Sequence, residues 1–416
     1  VADFDWDHLS LSLENPTVRS FKQEQFDRLR LQRGDILLEK SGGGERTPVG
    51  RVVRFDDEVP AITSNFVARM RPASCTDSRY LTYLFASLYQ SRFSHQFIKQ
   101  NTGIQNLDDS ALLDTSVWIP DVPTQKAIAD FLDRETARID QLIEKKQRLV
   151  ELLEERESAY LESAVTGRSS PSRLFRDAGV KWIGQVPVEW TVPKFTHVAR
   201  LESGHTPSRN VEEYWLPEDC TIPWFSLSDI WQVRQMGRVY VSDTCEKISP
   251  IGMANSAARL LPKDTVILSR TASVGFPAIL AIPMATTQDF VNWVCGPMIR
   301  PKYLYYVLRA MRRDFRRLMM GSTHQTIYMP DVKSFRTPLP TIDEQDMIAG
   351  MLDHSLSTFA SISQRTKSSV ERLHELRSAL ITAAVTGQID VADWSRRGET
   401  ERRLEFVEHK LEEATV

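Results

Sequence analysis

Cysteine is scarce in this chain of 416 residues. Cys75, Cys220, Cys245 and Cys295 stand far apart, with no C-x-x-C pair and no histidine at zinc-finger spacing. That pattern excludes a disulfide framework or a structural zinc site and reads as isolated reduced thiols of a cytoplasmic protein. No apolar run reaches the length needed to span a bilayer. The opening Val-Ala-Asp-Phe-Asp-Trp has no signal-peptide character and no initiator Met, so a trimmed or partial chain is expected. Excess positive charge is lacking too. Lys plus Arg number 52 against 55 Asp plus Glu, for a formal net charge of −3. A protein that coats nucleic acid by bulk charge is thereby excluded, and any such contact must come from local basic patches.

Catalytic signatures are missing as well. There is no phosphate loop with its Lys-Ser or Lys-Thr, no G-x-S-x-G elbow and no H-E-x-x-H among the eight histidines. The Asn-Pro-Pro-aromatic or Asp-Pro-Pro-aromatic tetrapeptide that amino-methyltransferases use to hold an extruded base is absent. The Gly-rich Ser41–Arg46 stretch lacks the lysine spacing and the following helix; it reads as a flexible turn or as a loop whose backbone contacts a ligand. Asp35, Glu39 and Lys40 suggest a nuclease, but there the carboxylate and lysine are adjacent rather than separated by one residue. No catalytic residue, metal ligand or cofactor site is expected in this chain.

What is present is a repeat. Glu-Ser-Ala-Val-Thr-Gly ends at Gly167 and Thr-Ala-Ala-Val-Thr-Gly ends at Gly387. The match runs back without gaps to Pro120 and Pro340, a constant offset of 220 residues (387 − 167 and 340 − 120). It pairs Gln125 with Gln345, Ile128 with Ile348, Leu132 with Leu352, Asp133 with Asp353, Val150 with Val370 and Leu153 with Leu373. Both segments follow a proline-containing lead-in, and neither then has an internal Pro or Gly except Gly350. Apolar residues fall in alternating steps of four and three. The first seam holds Ile128, Leu132, Ile139, Leu142, Leu149, Leu153 and Tyr160, with Glu135, Lys146 and Arg156 filling gaps. The second holds Ile348, Leu352, Phe359, Ile362, Leu373, Leu376 and Leu380, with Ser355, Thr366 and Ser369 between them. This predicts two heptad helices of roughly 40 residues, about 60 Å each, packed against one another as an intramolecular, antiparallel coiled coil.

Weaker matches lie upstream. Thr63–Val67 resembles Thr287–Val291, and Arg79–Leu84 resembles Lys302–Val307. Gly103-Ile104-Gln105 falls where Gly321–Gln325 falls. Asp35–Lys40 and Thr265–Arg270 read as strands that end on a basic residue before a small-residue turn. The expected fold is therefore α+β, with two recognition domains of mixed character joined by two long helices. The expected boundaries are 1–123, helix 124–168, second domain 169–338, helix 339–390 and a helical tail 391–416. Nothing in residues 1–30 matches the opening of the second domain (Asp177–Gly184, then Val186–Trp190), so the first is expected to lack its beginning.

Basic residues cluster. Arg309, Arg312, Arg313, Arg316 and Arg317 fall at i, i+3, i+4, i+7 and i+8, which predicts one arginine face on a helix whose other side holds Leu304, Leu308, Met311, Phe315 and Leu318. Arginine suits phosphate better than lysine does. Arg92, His95 and Lys99 are a thinner version in the first half. The loops that follow, Gly103–Asn106 and Gly321–Tyr328, offer amide, hydroxyl and imidazole groups to base edges and phosphates.

With Gly179–Trp190, the Gly204–Ser208 turn, Pro223–Ile230, Gly34–Gly50 and the two Pro-to-Gly helices, the chain resembles the specificity subunits of type I restriction–modification enzymes. The resemblance implies a non-catalytic subunit that reads a bipartite DNA target, with the helices spanning the unread spacer. It implies two adenine-N6 methyltransferase subunits that use S-adenosylmethionine and, in complexes that carry them, two restriction subunits that use ATP and Mg, all in partners. DNA-contacting candidates are Lys40, Arg46, Arg92, Lys99, Gln105, Arg209, Arg270, Arg309, Arg312, Arg313, Arg316, Arg317, Thr323, His324, Gln325 and Tyr328. The competing reading is a coiled-coil scaffold that binds protein partners only.

Overall fold

The computed structural model describes residues 3–14, 16–45, 47–101, 103–170, 173–319 and 325–413. Arg46, Thr323 and His324 lie outside them. Along the chain, the elements that matter here are strands β1 (Ile36–Glu39), β2 (Val52–Arg54) and β3 (Val67–Met70), helix α1 (Ser78–Gln90) and the long helix α2 (Val122–Val165). They continue with β4 (Ala199–Ser203), β5 (Tyr240–Val241), β6 (Val266–Ser269), β7 (Pro277–Leu280) and β8 (Phe290–Cys295). Helices α3 (Pro301–Ala310), α4 (Arg312–Leu318), the long α5 (Ile342–Val385), α6 (Val391–Arg397) and α7 (Glu399–Glu413) follow.

The chain divides into two compact units, Val1–Val150 with Ser363–Val416, and Glu151–Ile362. The division falls inside both long helices rather than at their ends, because each half-helix packs onto its own globular part. In the first unit an antiparallel sheet runs β2–β1–β3. Alternation along β1 sends Leu37 to a cluster with Leu31, Val53, Phe55 and Val67, and sends Ile36 and Leu38 to the opposite cluster with Val49, Val52, Ala86 and Leu107. In the second unit the order is β4–β8–β6–β7–β5, antiparallel except for the β5–β7 pair. By register β1, β2 and β3 correspond to β6, β7 and β8. The ladder sets Val67 opposite Glu39 and Phe290 opposite Ser269. Val67 is thus equivalent to Phe290, one residue off the match read from sequence.

The repeated residues make the same contacts twice. Gln125 and Gln345 are buried. The Gln125 amide oxygen accepts from Asp77 N at 2.8 Å and its amide nitrogen donates to Pro120 O at 2.8 Å. Gln345 accepts from Arg300 N at 2.8 Å and donates to Pro340 O at 3.0 Å. Asp77 and Arg300 are the residues at which α1 and α3 begin, so each glutamine fastens a domain helix to the start of a long one. Asp133 accepts from Tyr83 Oη and Arg79; Asp353 accepts from Tyr306 Oη and Lys302. Tyr80 Oη donates to Val385 O at 3.2 Å, and Tyr303 Oη to Val165 O at 3.1 Å. Each tyrosine thereby satisfies an orphan carbonyl at the end of a long helix. Gly167 (φ +77°) and Gly387 (φ +70°) close those ends. Arg168 N and Gln388 N reach back to Ser163 O and Ala383 O at 2.9 Å, which is the Schellman closure that favours glycine.

Both long helices are 44 residues and uninterrupted, and they pair antiparallel. In the first unit Ile128, Leu132, Ile139 and Ile143 of α2 pack on Leu373, Leu380, Ile381 and Ala384 of α5. A largely buried ion pair, Arg377 to Asp140 at 2.8 Å, lies beside them. In the second unit Leu161 and Val165 pack with Ile348, Leu352 and Leu356. The expected seam is not kept throughout. Leu149 and Ile362 are 44% and 39% exposed, and Ile143, outside the predicted seam, is buried. A straight helix drifts about 20° per heptad against a 3.5-residue repeat, and the polar gaps leave little to hold the stripe in line. Helices α6 and α7 lie on α2 in the first unit through Trp394 and Leu404, with Arg134 on Ser395 and Arg138 on Glu401.

Candidate nucleic-acid interface

Each central strand runs into a loop pinned by the same backbone bonds. Lys40 N donates to Phe66 O at 2.9 Å, Gly42 N to Gln105 O at 3.0 Å and Leu107 N to Lys40 O at 2.8 Å. In the second unit Arg270 N donates to Asp289 O at 2.8 Å, Ala272 N to Gln325 O at 3.0 Å and Ile327 N to Arg270 O at 2.9 Å. Gly42 and Ala272 both carry positive φ, +120° and +59°. The turn therefore needs left-handed backbone at one position, and alanine accepts it at a cost. Three loops per unit thus form one rim. On the second, Thr206 and Gln288 bond side chain to side chain at 2.7 Å.

Several sequence candidates are committed to the protein itself. Gln105 is buried, with its amide oxygen facing Val49 N at 3.3 Å. The Arg270 guanidinium donates to Gln288 O at 3.1 Å and Ile327 O at 3.4 Å, tying the rim loops together. Arg209 forms a two-pronged pair with Glu246 at 2.7 and 3.0 Å and lies 3.7 Å over the Trp215 ring. Lys99 pairs with Asp108 at 2.7 Å. Lys40 is half-buried at the mouth of its loop, while Arg92, Gln325 and Tyr328 are exposed. Asp35 and Glu39, the pair that suggested a nuclease, are buried and held by Arg71 and Arg51.

The arginine face is two helices, not one. Helix α3 is buried over Tyr303–Leu308, whereas α4 buries only Phe315. The chain turns at Met311 (φ −70°, ψ −5°), whose side chain joins Phe315 in the core. Arg309 remains on α3 and pairs with Glu157 at 2.7 Å. Arg317 is 3.7 Å from Asp314. That leaves Arg312, Arg313 and Arg316 exposed, with no carboxylate partner among the described residues. Arg312 lies 4.6 Å over the Phe276 ring, and Arg234 lies 5.8 Å from the same ring. Sequence reasoning missed Arg234 and Phe276. No spacing relates them to Arg312; only the fold of the 270–276 loop brings them together.

Although the residue as a whole is exposed, partial desolvation of its guanidinium over the Phe276 ring, then the charges of Arg316, Arg309 and Arg234, pull Arg312 below its ordinary value, with Glu157 opposing. Cations crowded this way repel one another until an anion joins them, and a phosphate oxygen between guanidiniums relieves that repulsion. Among the described residues no group of three or more His, Cys, Asp or Glu could hold a metal ion, and no helix is long and apolar enough to cross a membrane.

Comparison with known proteins is consistent with this geometry. The sequence matches the family described as type I restriction modification DNA specificity domain over residues 10–152 and 187–372, and the chain belongs to that family. It is 29% identical over 174 residues to the type I restriction enzyme MjaIX specificity subunit of Methanocaldococcus jannaschii, covering 41% of this chain and 39% of that protein. It is 20% identical over 382 residues to the putative MjaX specificity subunit of the same organism, covering 90% and 83%. The chain spans about two fifths of the length of the first curated relatives it matches. A solved chain described under complex assembly and conformational transition of the type I R-M system shares the fold, with a TM-score of 0.64 at 15% identity over 93% of this chain and 90% of that one.

Proposed function

We propose that this chain is the sequence-reading specificity subunit of a type I restriction–modification system, with each unit reading one half of a bipartite DNA target. The observation that carries the reading is the Arg234–Phe276–Arg312 stack with Arg313 and Arg316, a crowded set of cations in a chain of net negative charge. The duplicated loop rims supply the polar groups that base edges require. Two uninterrupted 44-residue helices, each about 66 Å at 1.5 Å per residue, act as the spacer between the half-sites.

On this reading catalysis belongs to partners. Two methyltransferase subunits supply S-adenosylmethionine chemistry, and two restriction subunits supply ATP- and Mg-dependent cleavage; the complex works in the cytoplasm. The test is co-expression with the cognate methyltransferase and genome-wide mapping of methylated adenines. A two-part methylated sequence with a fixed gap is expected. Unchanged DNA affinity of the methyltransferase, measured by fluorescence anisotropy with and without this chain, would favour a protein-only scaffold.

A further inference from the structure

Exposed carboxamides that a hydroxyl side chain holds in place are rare in this chain. Among the described residues there are two, one on each rim. On the first rim Ser41 Oγ donates to Asn106 Oδ1 at 2.6 Å. On the second Thr206 Oγ1 donates to Gln288 Oε1 at 2.7 Å. In both pairs the carboxamide residue is exposed and the hydroxyl residue half-buried. A third pairing of the same two groups, Asn292 with Thr286, is buried inside the second unit.

The backbone sets each pair in place. Ser41 and Asn106 face one another across an isolated antiparallel bridge. The bonds Gly42 N to Gln105 O and Leu107 N to Lys40 O flank it. Strand alternation buries Gln105 and Leu107 and turns Asn106 to solvent. In the second unit the Gly204–Thr206 turn is pressed against the chain before β8. A Cβ on Gly204 would collide with Thr287 O and Thr286 Oγ1. His205 N donates to Thr286 O at 3.0 Å, which brings Thr206 beside Gln288. Arg270 Nε donates to Gln288 O at 3.1 Å and fixes its backbone. The two pairs are not copies of one another. By their bridges, Ser41 and Asn106 correspond to Thr271 and Thr326. By the backbone bonds of Lys40 and Arg270, Gln288 corresponds to Asn65. The same two-group device therefore stands on different loops of two rims that are otherwise built alike, so duplication alone did not place it twice.

We propose, resting on the DNA-reading assignment above, that Asn106 and Gln288 each read one adenine of a half-site through the major groove, with Ser41 and Thr206 as positioning residues. A hydroxyl that holds the amide oxygen removes rotamer freedom that binding would otherwise have to take away. The oxygen keeps a second lone pair and the nitrogen keeps both hydrogens. One acceptor beside one donor matches the N6 amino group and N7 of adenine, the two-pronged pairing that Asn and Gln make with that base. In the second unit the loop that starts at Arg270 ends at Phe276, under the Arg312 guanidinium. One short loop thus joins the base reader to the phosphate-binding arginines and keeps the two in register, since phosphate contacts position and base contacts specify.

The test uses the full chain with its methyltransferase subunits. Methylated adenines are mapped for the native chain and for Asn106→Ala and Gln288→Ala. Each variant should relax one A·T position, in opposite halves of the target, and leave the rest of the motif intact. By anisotropy, a duplex with that pair changed to G·C should bind the native complex about 5- to 150-fold more weakly. The matching variant should discriminate by less than about twofold. Asn106→Asp and Gln288→Glu replace the donor to N7 by an acceptor. They should move the preference at the same position to C·G, because a carboxylate accepts from cytosine N4. Damage to the fold does not create a new preference. A motif that all four variants leave unchanged overturns the proposal. So does a uniform loss of affinity across sequences, which marks a phosphate contact. A native chain that directs no two-part motif at all would refute the DNA-reading assignment and this proposal with it.

Discussion

Replacing Arg312, Arg313 and Arg316 together by Ala should change how DNA binding responds to salt. The structure selects these three because Arg309 is paired with Glu157 and Arg317 lies near Asp314. If each contacts one phosphate, the plot of log affinity against log salt should flatten by about 0.9 per contact, or about 2.7 in all. Between 50 and 200 mM salt the gap between the native and triply substituted chains should therefore narrow by about fortyfold. Arg300→Ala removes an arginine paired with Asp346 at 3.1 Å and serves as the control, with no change in slope. The assay is anisotropy with a labelled duplex and the methyltransferase subunits present, repeated across salt concentrations. A slope within about 0.5 of the native value would refute phosphate contact at this cluster.

Gln345→Ala removes three bonds, to Arg300 N, Met298 O and Pro340 O. At about 1 kcal/mol each it should cost about 3 kcal/mol and lower the calorimetric midpoint of the second unit by roughly 6–12 °C; a shift below 2 °C would mean the repeat is not held there. Burial raises the Asp35 carboxyl, but the bonds from Arg71 and Gln32 N outweigh it and hold it below its ordinary value. The pair's contribution should therefore be present at neutral pH and fade as acid protonates Asp35. Arg71→Ala should cost about 2 kcal/mol by urea titration at pH 7, discounted because Arg71 is 42% exposed, and much less at pH 3. Burial pushes the Cys295 thiol up to about 12. It should resist iodoacetamide at pH 8 to 10 in the folded chain and react once urea unfolds it; equal rates in both states would place that side chain in water.

The repeat was legible because each repeated residue type is demanded by a local contact made twice. Gln125 and Gln345 cap the same kind of junction, Asp133 and Asp353 each take a tyrosine and a cation, and glycine takes the left-handed turn at 167 and 387 at the least cost. Helix period, proline lead-ins and the apolar run of β1 are likewise properties of neighbouring residues. The recognition residues were read less well. Polarity and position in a loop do not reveal which way a side chain turns, so Gln105 and Arg270 read as DNA-facing although one is buried and the other ties loops together.

By itself, then, the sequence determined a duplicated α+β chain with two long helices, because periodicity and turn chemistry act over a few residues. Only the tertiary structure decided that the arginines divide between two helices at Met311 and that Arg234 reaches Phe276. Those outcomes depend on which distant surfaces meet, and the packing of the whole unit settles that.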